Sequence, residues 1–214
     1  ACPTVDFLGN GTGLVGKSAC GALGYAISDL VYAKKVILVT DNLVDRLTEY
    51  QFDHRYVDGV VKVASIGNPE GIVSGTTRIT RDPIGLKIAS DSARLMDELG
   101  IIDEGFSMQT GAGGTSLAVA YQVRNIMLKK HIRGEFASGG ITGYHVDMLK
   151  QGLFNKLYDV QCFDLLAVSS LRENENHIPI SASQYGNPYE NEPVVDKLDA
   201  VILGATEIDL DFNV

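Results

Sequence analysis

Apolar positions in this chain fall into two alternating rhythms. The stretch "KSACGALGYAISDLVYA" (17–33) repeats apolar and small residues at helical spacing, and the short β-branched runs "KVILVT" (35–40) and "YVDGVVKV" (56–63) follow as strands. Asp82 and Pro83 form an N-cap and first-turn pair for a helix running to about Leu99, with Gly100 as its stop. Beyond it the pattern predicts strand "GFSMQT", loop "GAGG", helix "TSLAVAYQVRNIMLKK", strand and turn "GEFASGG", helix "YHVDMLKQGL" and strand "YDVQCF". Helix "LLAVSSLREN" and strands "HIPISAS" and "DAVILGATEID" complete the series. Regular alternation of this kind predicts a three-layer α/β/α fold, a largely parallel sheet covered by helices on both faces. The Gly-, Ser- and Thr-rich stretch 64–81, "ASIGNPEGIVSGTTRITR", reads as an inter-domain connection.

The two ends of the chain echo one another. Aligning "VDFLGN" with "IDLDFN" sets Asp6 over Asp209 and Asn10 over Asn213 at the same interval, which hints at two related α/β halves. Ordinary Asx turns at both places are the alternative. The chain lacks an initiator methionine and stops within what reads as a strand end, so it is expected to be a piece of a longer protein, inactive by itself.

Composition narrows the function classes. An apolar content of 45% over 214 residues supplies a sizeable core. Eighteen basic against 27 acidic residues, a net charge of -9 and no basic run argue against nucleic acid as a partner. No apolar stretch approaches the roughly 20 residues of a membrane span, and a cytoplasmic location is expected. Cys2, Cys20 and Cys162 are too few and too scattered for a disulfide framework or a zinc site, and no metal is expected.

Three places carry candidate chemistry. In "FSMQTGAGGTSLAV", Gly111, Ala112, Gly113 and Gly114 lead from a strand into a helix N-terminus, which offers free N–H groups to a phosphate or to the oxygen of a polarised thioester. A tight turn with glycines for close packing is the competing reading. In "ASGGIT", Gly139, Gly140 and Thr142 precede another helix, where a left-handed turn alone would also explain the glycines. The third, "GTGLVGKS" (11–18), fits the P-loop rule G-x-x-x-x-G-K-[ST], with Asp41 after "KVILVT" as a metal-facing partner. Against the P-loop stand Pro3 and Asp6, which interrupt any apolar run before it, and Gly21 and Gly24, which weaken a helix after it.

The segments "GKSACG", "VTDNLV", "GIVSGTTRIT", "TGAGGTSLAVA", "FASGGITGYHVDML", "DVQCFDL", "ENENHIPISAS", "NPYEN" and "LGATEIDLDFNV", in this order, make the chain resemble the citrate lyase α chains, the citrate CoA-transferases. The resemblance spans nearly all 214 residues. It implies a CoA-transferase-like fold of two related halves, with 1–81 the C-terminal part of the first domain plus linker and 82–214 the N-terminal part of the second. It implies the exchange of acetyl for citryl on a CoA-like phosphopantetheine thioester carried by an acyl carrier protein, with acetyl-CoA as a surrogate. A β (lyase) and a γ (acyl carrier) subunit and an oligomeric assembly come with it. The family does not keep the first P-loop glycine, so the "GTGLVGKS" match is taken as a coincidence. Citramalate lyase α chains share much of the pattern, so the acceptor stays open between citrate and citramalate.

In this reading Gly113 and Gly114 present the oxyanion donors, and Gly139 and Gly140 form the facing wall. A glutamate nucleophile is absent where fold-related CoA-transferases carry one, near Gly139. Glu207 in "GATEID" is the nearest carboxylate to replace it, and direct exchange through a mixed anhydride is favoured instead. Lys17, Ser18, Arg78, Arg172 and His177 are the candidates for holding citrate carboxylates, though each also fits a surface residue or a cap. A P-loop nucleotide binder and a non-catalytic scaffold of a multi-subunit lyase remain the alternatives.

Overall fold

The computed structural model describes residues 1–72 and 77–214. Val73, Ser74, Gly75 and Thr76, the centre of the "GIVSGTTRIT" segment, lie outside the described residues.

In the first part of the chain, β1 (Thr4–Asp6) runs antiparallel to β2 (Gly11–Thr12) and parallel to β4 (Leu43–Val44). A second small sheet pairs β3 (Ile37–Thr40) in parallel with β5 (Gly59–Lys62). Their apolar residues, with those of α1 (Gly24–Tyr32), make a core of Cys2, Val5, Leu23, Leu30, Val36, Leu38 and Phe52. The helix expected from Lys17 begins only at Gly24. Gly21 has φ +89, and a Cβ there would stand 2.2 Å from Cys162 Sγ, so tertiary packing holds this stretch out of a helix.

Residues 82 onward follow the expected alternation closely. After α2 (Pro83–Glu98) come β6 (Ser107–Thr110), α3 (Gly114–Lys130), β7 (Gly134–Ile141), α4 (Gly143–Lys150), β8 (Phe154–Cys162), α5 (Leu165–Glu173), β9 (His177–Pro179), α6 (Ala182–Gly186) and β10 (Ala200–Ile202). The Asp82 carboxylate accepts from Gly85 N at 2.8 Å, and Gly100 takes φ +71 after the helix, as the capping residues predict. The five strands form one parallel sheet in the order β10-β6-β7-β8-β9. Helices α2 to α5 pack side by side over one face, while α1 and α6 contact each other and α1 lies against β8.

Two expected strands are shorter than the pattern suggests. In "HIPISAS" the strand stops at Pro179, because Ser181 opens α6 with a reciprocal capping box to Gln184. "DAVILGATEID" is strand only over Ala200–Ile202, and the chain then turns at Asp209.

That turn repeats the one after β1. Asp6 Oδ1 accepts from Leu8 N and Asn10 N at 3.0 and 2.9 Å, and Asn10 Nδ2 donates to Asp6 Oδ2 at 2.8 Å. Asp209 Oδ1 accepts from Asp211 N and Asn213 N at 2.8 and 2.9 Å, and Asn213 Nδ2 donates to Asp209 Oδ2 at 2.8 Å. Even the positive φ recurs, +103 at Gly9 and 63 at Phe212. The echo between the two ends of the sequence is a structural one.

Candidate functional site

In an open parallel sheet, ligands bind beyond the carboxyl ends of the strands. Register places Ile202, Thr110, Gly139, Asp159 and Pro179 side by side near that edge. Four glycines shape it. Gly113 caps α3 with φ -70, and a Cβ on it would meet no atom within 4 Å, so it faces open space. Helix α3 has neither a side-chain cap nor an acidic residue in its first turn, which leaves its N–H groups and positive dipole end exposed to that space. Gly114 is closed on its other side, where a Cβ would lie 2.8 Å from Arg78 O, and Thr80 N donates to Gly114 O at 3.1 Å. Gly139, with φ +104, sits at a β-bulge against the Gln109 side chain, whose Oε1 accepts from Tyr185 Oη. Gly140 lies under the Phe163 ring, where a Cβ would fall 2.1 Å from the ring edge. Beyond Phe163 opens a hollow of about 580 Å³, lined also by Cys20, Leu23, Gly71, Ile72 and Val160.

The 64–81 stretch is therefore more than a connection. Its described ends, at Ile72 by this hollow and at Thr80 on the α3 N-terminus, bracket the carboxyl edge.

One buried residue that the sequence reading missed ties the edge together. His145 Nε2 lies 3.1 Å from Thr110 Oγ1, at the end of β6, and its Nδ1 accepts from Thr142 N at 3.3 Å, at the start of α4. With Nδ1 an acceptor, the ring proton sits on Nε2 and is donated to Thr110. Burial pushes His145 down to about 4, so the ring is neutral. The signal was the Thr-x-x-His spacing in "ITGYH", a variant of the capping box with His at N3. Thr142 is accordingly fully buried, with its hydroxyl 3.1 Å from His145 Nδ1. Asp164 braces the same edge, accepting from Gly143 N at 2.6 Å and from Ala167 N at 2.8 Å.

The remaining candidates are scattered. Lys17 Nζ donates to Ala64 O at 2.6 Å and stands 3.8 Å from Asp41, while Ser18 Oγ donates to Asp41 Oδ2 at 2.6 Å. The Ser18 hydrogen bond, helped by Ile66 N and Lys17, holds the Asp41 carboxyl below its ordinary value. This cluster joins the carboxyl ends of β3 and β5. Arg78 is exposed, and its carbonyl abuts Gly114. His177 is fully buried, bonded to Asp159 at 3.1 Å and to Ser170 at 3.0 Å, and Arg172 reaches Ser169 and Glu173 on its own helix. Both border a cleft of about 830 Å³ with Leu14, Tyr50, Gln51 and Pro179. Glu207 is exposed and borders a hollow formed by its own segment.

The P-loop reading fails on geometry. A buried strand does precede the motif, although Pro3 and Asp6 argued against one, because Asp6 is satisfied by its own turn. The chain then folds back as β2, Gly16 takes φ +97, and α1 begins well past Ser18. No helix N-terminus stands behind Lys17 to receive phosphate. Among the described residues no group of three or more His, Cys, Asp or Glu is placed to hold a metal, and the three cysteines are free. Burial pushes the Cys2 thiol up to about 12 and raises Cys162 as well. No helix among the described residues is long and apolar enough to cross a membrane.

A parallel sheet covered on both faces, with glycine-lined strand ends, makes this an α/β protein, and its structural neighbours place the fold in the CoA-transferase-like class. Residues 1–214 match the family model "Citrate lyase, alpha subunit (CitF)", and the chain belongs to that family. It is 46% identical to the citrate lyase alpha chain of Escherichia coli (strain K12) over 213 residues, 99% of this chain and 42% of that one. With the Haemophilus influenzae citrate lyase alpha chain it shares 44% identity over 213 residues, 99% of this chain and 43% of the relative. The chain thus spans about two fifths of the length of the curated relatives it matches. A Streptococcus mutans protein assigned as the alpha subunit of citrate lyase, crystallised in complex with citrate, superposes with a TM-score of 0.92 at 44% identity. That match covers 100% of this chain and 42% of the other. The alpha subunit of a malonate decarboxylase from Acinetobacter baumannii shares the fold alone, with a TM-score of 0.54 at 15% identity over 77% of this chain and 30% of the other.

Proposed function

We propose that this chain carries part of the acyl-exchange site of a citrate CoA-transferase, the α subunit of a citrate lyase. The reading rests on the uncapped N-terminus of α3, open at Gly113, beside the glycine-lined ends of β6 and β7. Residues 1–81 belong to a first CoA-transferase-like domain and its linker, and 82–214 to a second. The thioester is carried on a phosphopantetheine arm by an acyl carrier subunit, and a β subunit cleaves the product. Acetyl-CoA serves as the soluble surrogate.

The chemistry balances without a metal. A citrate carboxylate oxygen attacks the acetyl thioester carbonyl, the C–S bond breaks, and thiolate leaves a mixed acetyl-citryl anhydride. The thiolate then attacks the citryl carbonyl and acetate departs. Negative charge grows on the carbonyl oxygen in both steps, and the α3 N–H groups at Gly113 and Gly114 stabilise it. Neutral His145 ties Thr110, where the 111–113 loop begins, to Thr142 at the start of α4 and so holds that loop in place for the oxygen. Arg78, whose backbone carbonyl abuts Gly114, is assigned to a citrate carboxylate. Lys17 and Ser18 bind through Asp41 to their own loop, and Thr142 supports the wall rather than lining it.

The test is citrate-dependent exchange on acetyl-CoA by the intact natural chain. Gly113→Ala should lower kcat about a hundredfold, the scale of losing one oxyanion donor. Circular dichroism should not change, because the new Cβ meets no protein atom. Full activity of Gly113→Ala would remove the site from this edge. A borohydride-trapped adduct abolished by Glu207→Gln would replace direct exchange with a glutamyl intermediate.

A further inference from the structure

Gln109 reaches the carboxyl edge of the sheet from the face opposite α3. Strand alternation turns its neighbours Met108 and Thr110 toward the α2–α5 side, where Met108 joins the main core and Thr110 meets His145. Gln109 therefore points to the other side, where its Oε1 accepts from Tyr185 Oη on α6. In register Gln109 pairs with Ser138, yet its side chain leans one residue further along the sheet and lies over Gly139. A Cβ on Gly139 would stand 2.9 Å from Gln109 Cγ and 3.2 Å from its Nε2, so the glycine makes room for the amide at the bulge.

The bond from Tyr185 decides which end of that amide is free. Burial holds the tyrosine hydroxyl above its ordinary value, so it stays protonated and can donate. With Oε1 taken as acceptor, the two N–H donors of Nε2 are the free end, and among the described residues neither has a hydrogen-bond partner. The capping box of Ser181 and Gln184 fixes the short helix that carries Tyr185. A half-buried side chain thus holds an oriented, unused pair of donors beside the glycine loops.

We propose that Gln109 is a catalytic residue of the exchange, its Nε2 donating to the acceptor carboxylate that attacks the thioester, with Tyr185 as the positioning residue for the amide. This rests on the acyl-exchange reading of the same edge. One oxygen of the carboxylate forms the bond to the acetyl carbon as the C–S bond breaks and thiolate leaves, while the other oxygen accepts from Nε2. A neutral donor suits this task, because it aims the carboxylate without pairing away its charge as a cation would. After that step the held oxygen is the citryl carbonyl oxygen of the anhydride. Thiolate attack on the citryl carbon, which expels acetate, drives negative charge onto that same oxygen, and Nε2 stabilises it from the β6 side as the α3 N–H groups do from theirs.

Exchange kinetics of the intact natural chain with citrate and acetyl-CoA test the assignment. Gln109→Glu keeps the length of the side chain and the bond from Tyr185 but replaces both donors with a negative oxygen. It should lower kcat/KM for citrate at least about a hundredfold and leave KM for acetyl-CoA within about twofold. Gln109→Met, which removes the donors without adding charge, should lose about tenfold to a hundredfold. A loss of packing alone would not single out one of the two substrates. Tyr185→Phe should cost about fivefold, and the double variant with Gln109→Met should be no slower than Gln109→Met by itself, since the hydroxyl acts through the amide. Losses that add, or full activity of both Gln109 variants beside a slow Gly113→Ala, would overturn the proposal while leaving the α3 site standing. Full activity of Gly113→Ala as well would remove the whole exchange site from this edge.

Discussion

The turns at Asp6 and Asp209 are built alike and live in opposite surroundings. In each, the carboxylate accepts from the backbone N–H groups two and four residues on, the Asn side chain closes on the second oxygen, and the residue before Asn has positive φ. Asp6, Gly9 and Asn10 are buried although Phe7 and Leu8 between them are exposed, and their neighbours use what remains: Leu47 N donates to Asp6 Oδ2 at 3.2 Å and His54 N to Asn10 Oδ1 at 3.0 Å. The Asp209 turn stands in solvent, with Ile208, Leu210 and Phe212 exposed around it. A local hydrogen-bond code is thus enough to make the conformation. Only what packs on it makes the conformation matter to stability.

The strongest way to break the comparison is Asp6→Ala. It strands the N–H groups of Leu8, Gly9, Asn10 and Leu47 and the Asn10 amide, so unfolding free energy in urea should fall by about 4 kcal/mol. Asp209→Ala in the same assay should leave the midpoint within error, because water replaces every lost partner.

Acid separates the turns from the strand-end site. His145 is lowered from 6.5 to about 4 by burial. Its contribution is complete above pH 6.5 and is lost as pH falls toward about 4, a difference of about 3 kcal/mol. A variant with His145→Gln should lose that part of the pH slope. Below it Asp6 begins to protonate. Burial opposes ionisation of Asp6, but hydrogen bonds from the Asn10 side chain and from Leu47, Asn10 and Leu8 N–H outweigh it and hold the carboxyl below its ordinary 3.8. Stability from Asp6 is therefore present above pH 3.8 and lost as pH falls through its lowered value, and Asp6→Asn should remove that acid limb.

Smaller effects should follow from the positive-φ residues, read as shifts in the same unfolding midpoint. Gly9→Ala forces a Cβ into φ +103 and should cost about 1 to 2 kcal/mol, its steric contacts at 3.4 Å being ordinary. Phe212→Gly relieves φ 63 at the other turn and should stabilise by only about 0.5 kcal/mol. A loss of stability there would mean that the Phe212 ring is packed in solution.

Wherever neighbouring residues alone settle the outcome, the sequence determined the structure. Asp82-Pro83 opened α2 and Gly100 closed it, the strand–helix alternation from β6 to α5 built a parallel sheet, and the Asp-x-x-x-Asn spacing made the same turn twice. These depend on backbone propensity, capping and periodicity, which act over a few residues. Tertiary structure decided the rest. It kept 17–23 out of a helix, because Gly21 must approach Cys162, and it turned a full P-loop match into a latch on Asp41 and Ala64. It removed His177 to the Asp159–Ser170 network and brought His145 beneath the glycine loops. Which polar side chain is buried, and against what, is set by contacts between residues far apart in the chain. No local pattern encodes those contacts.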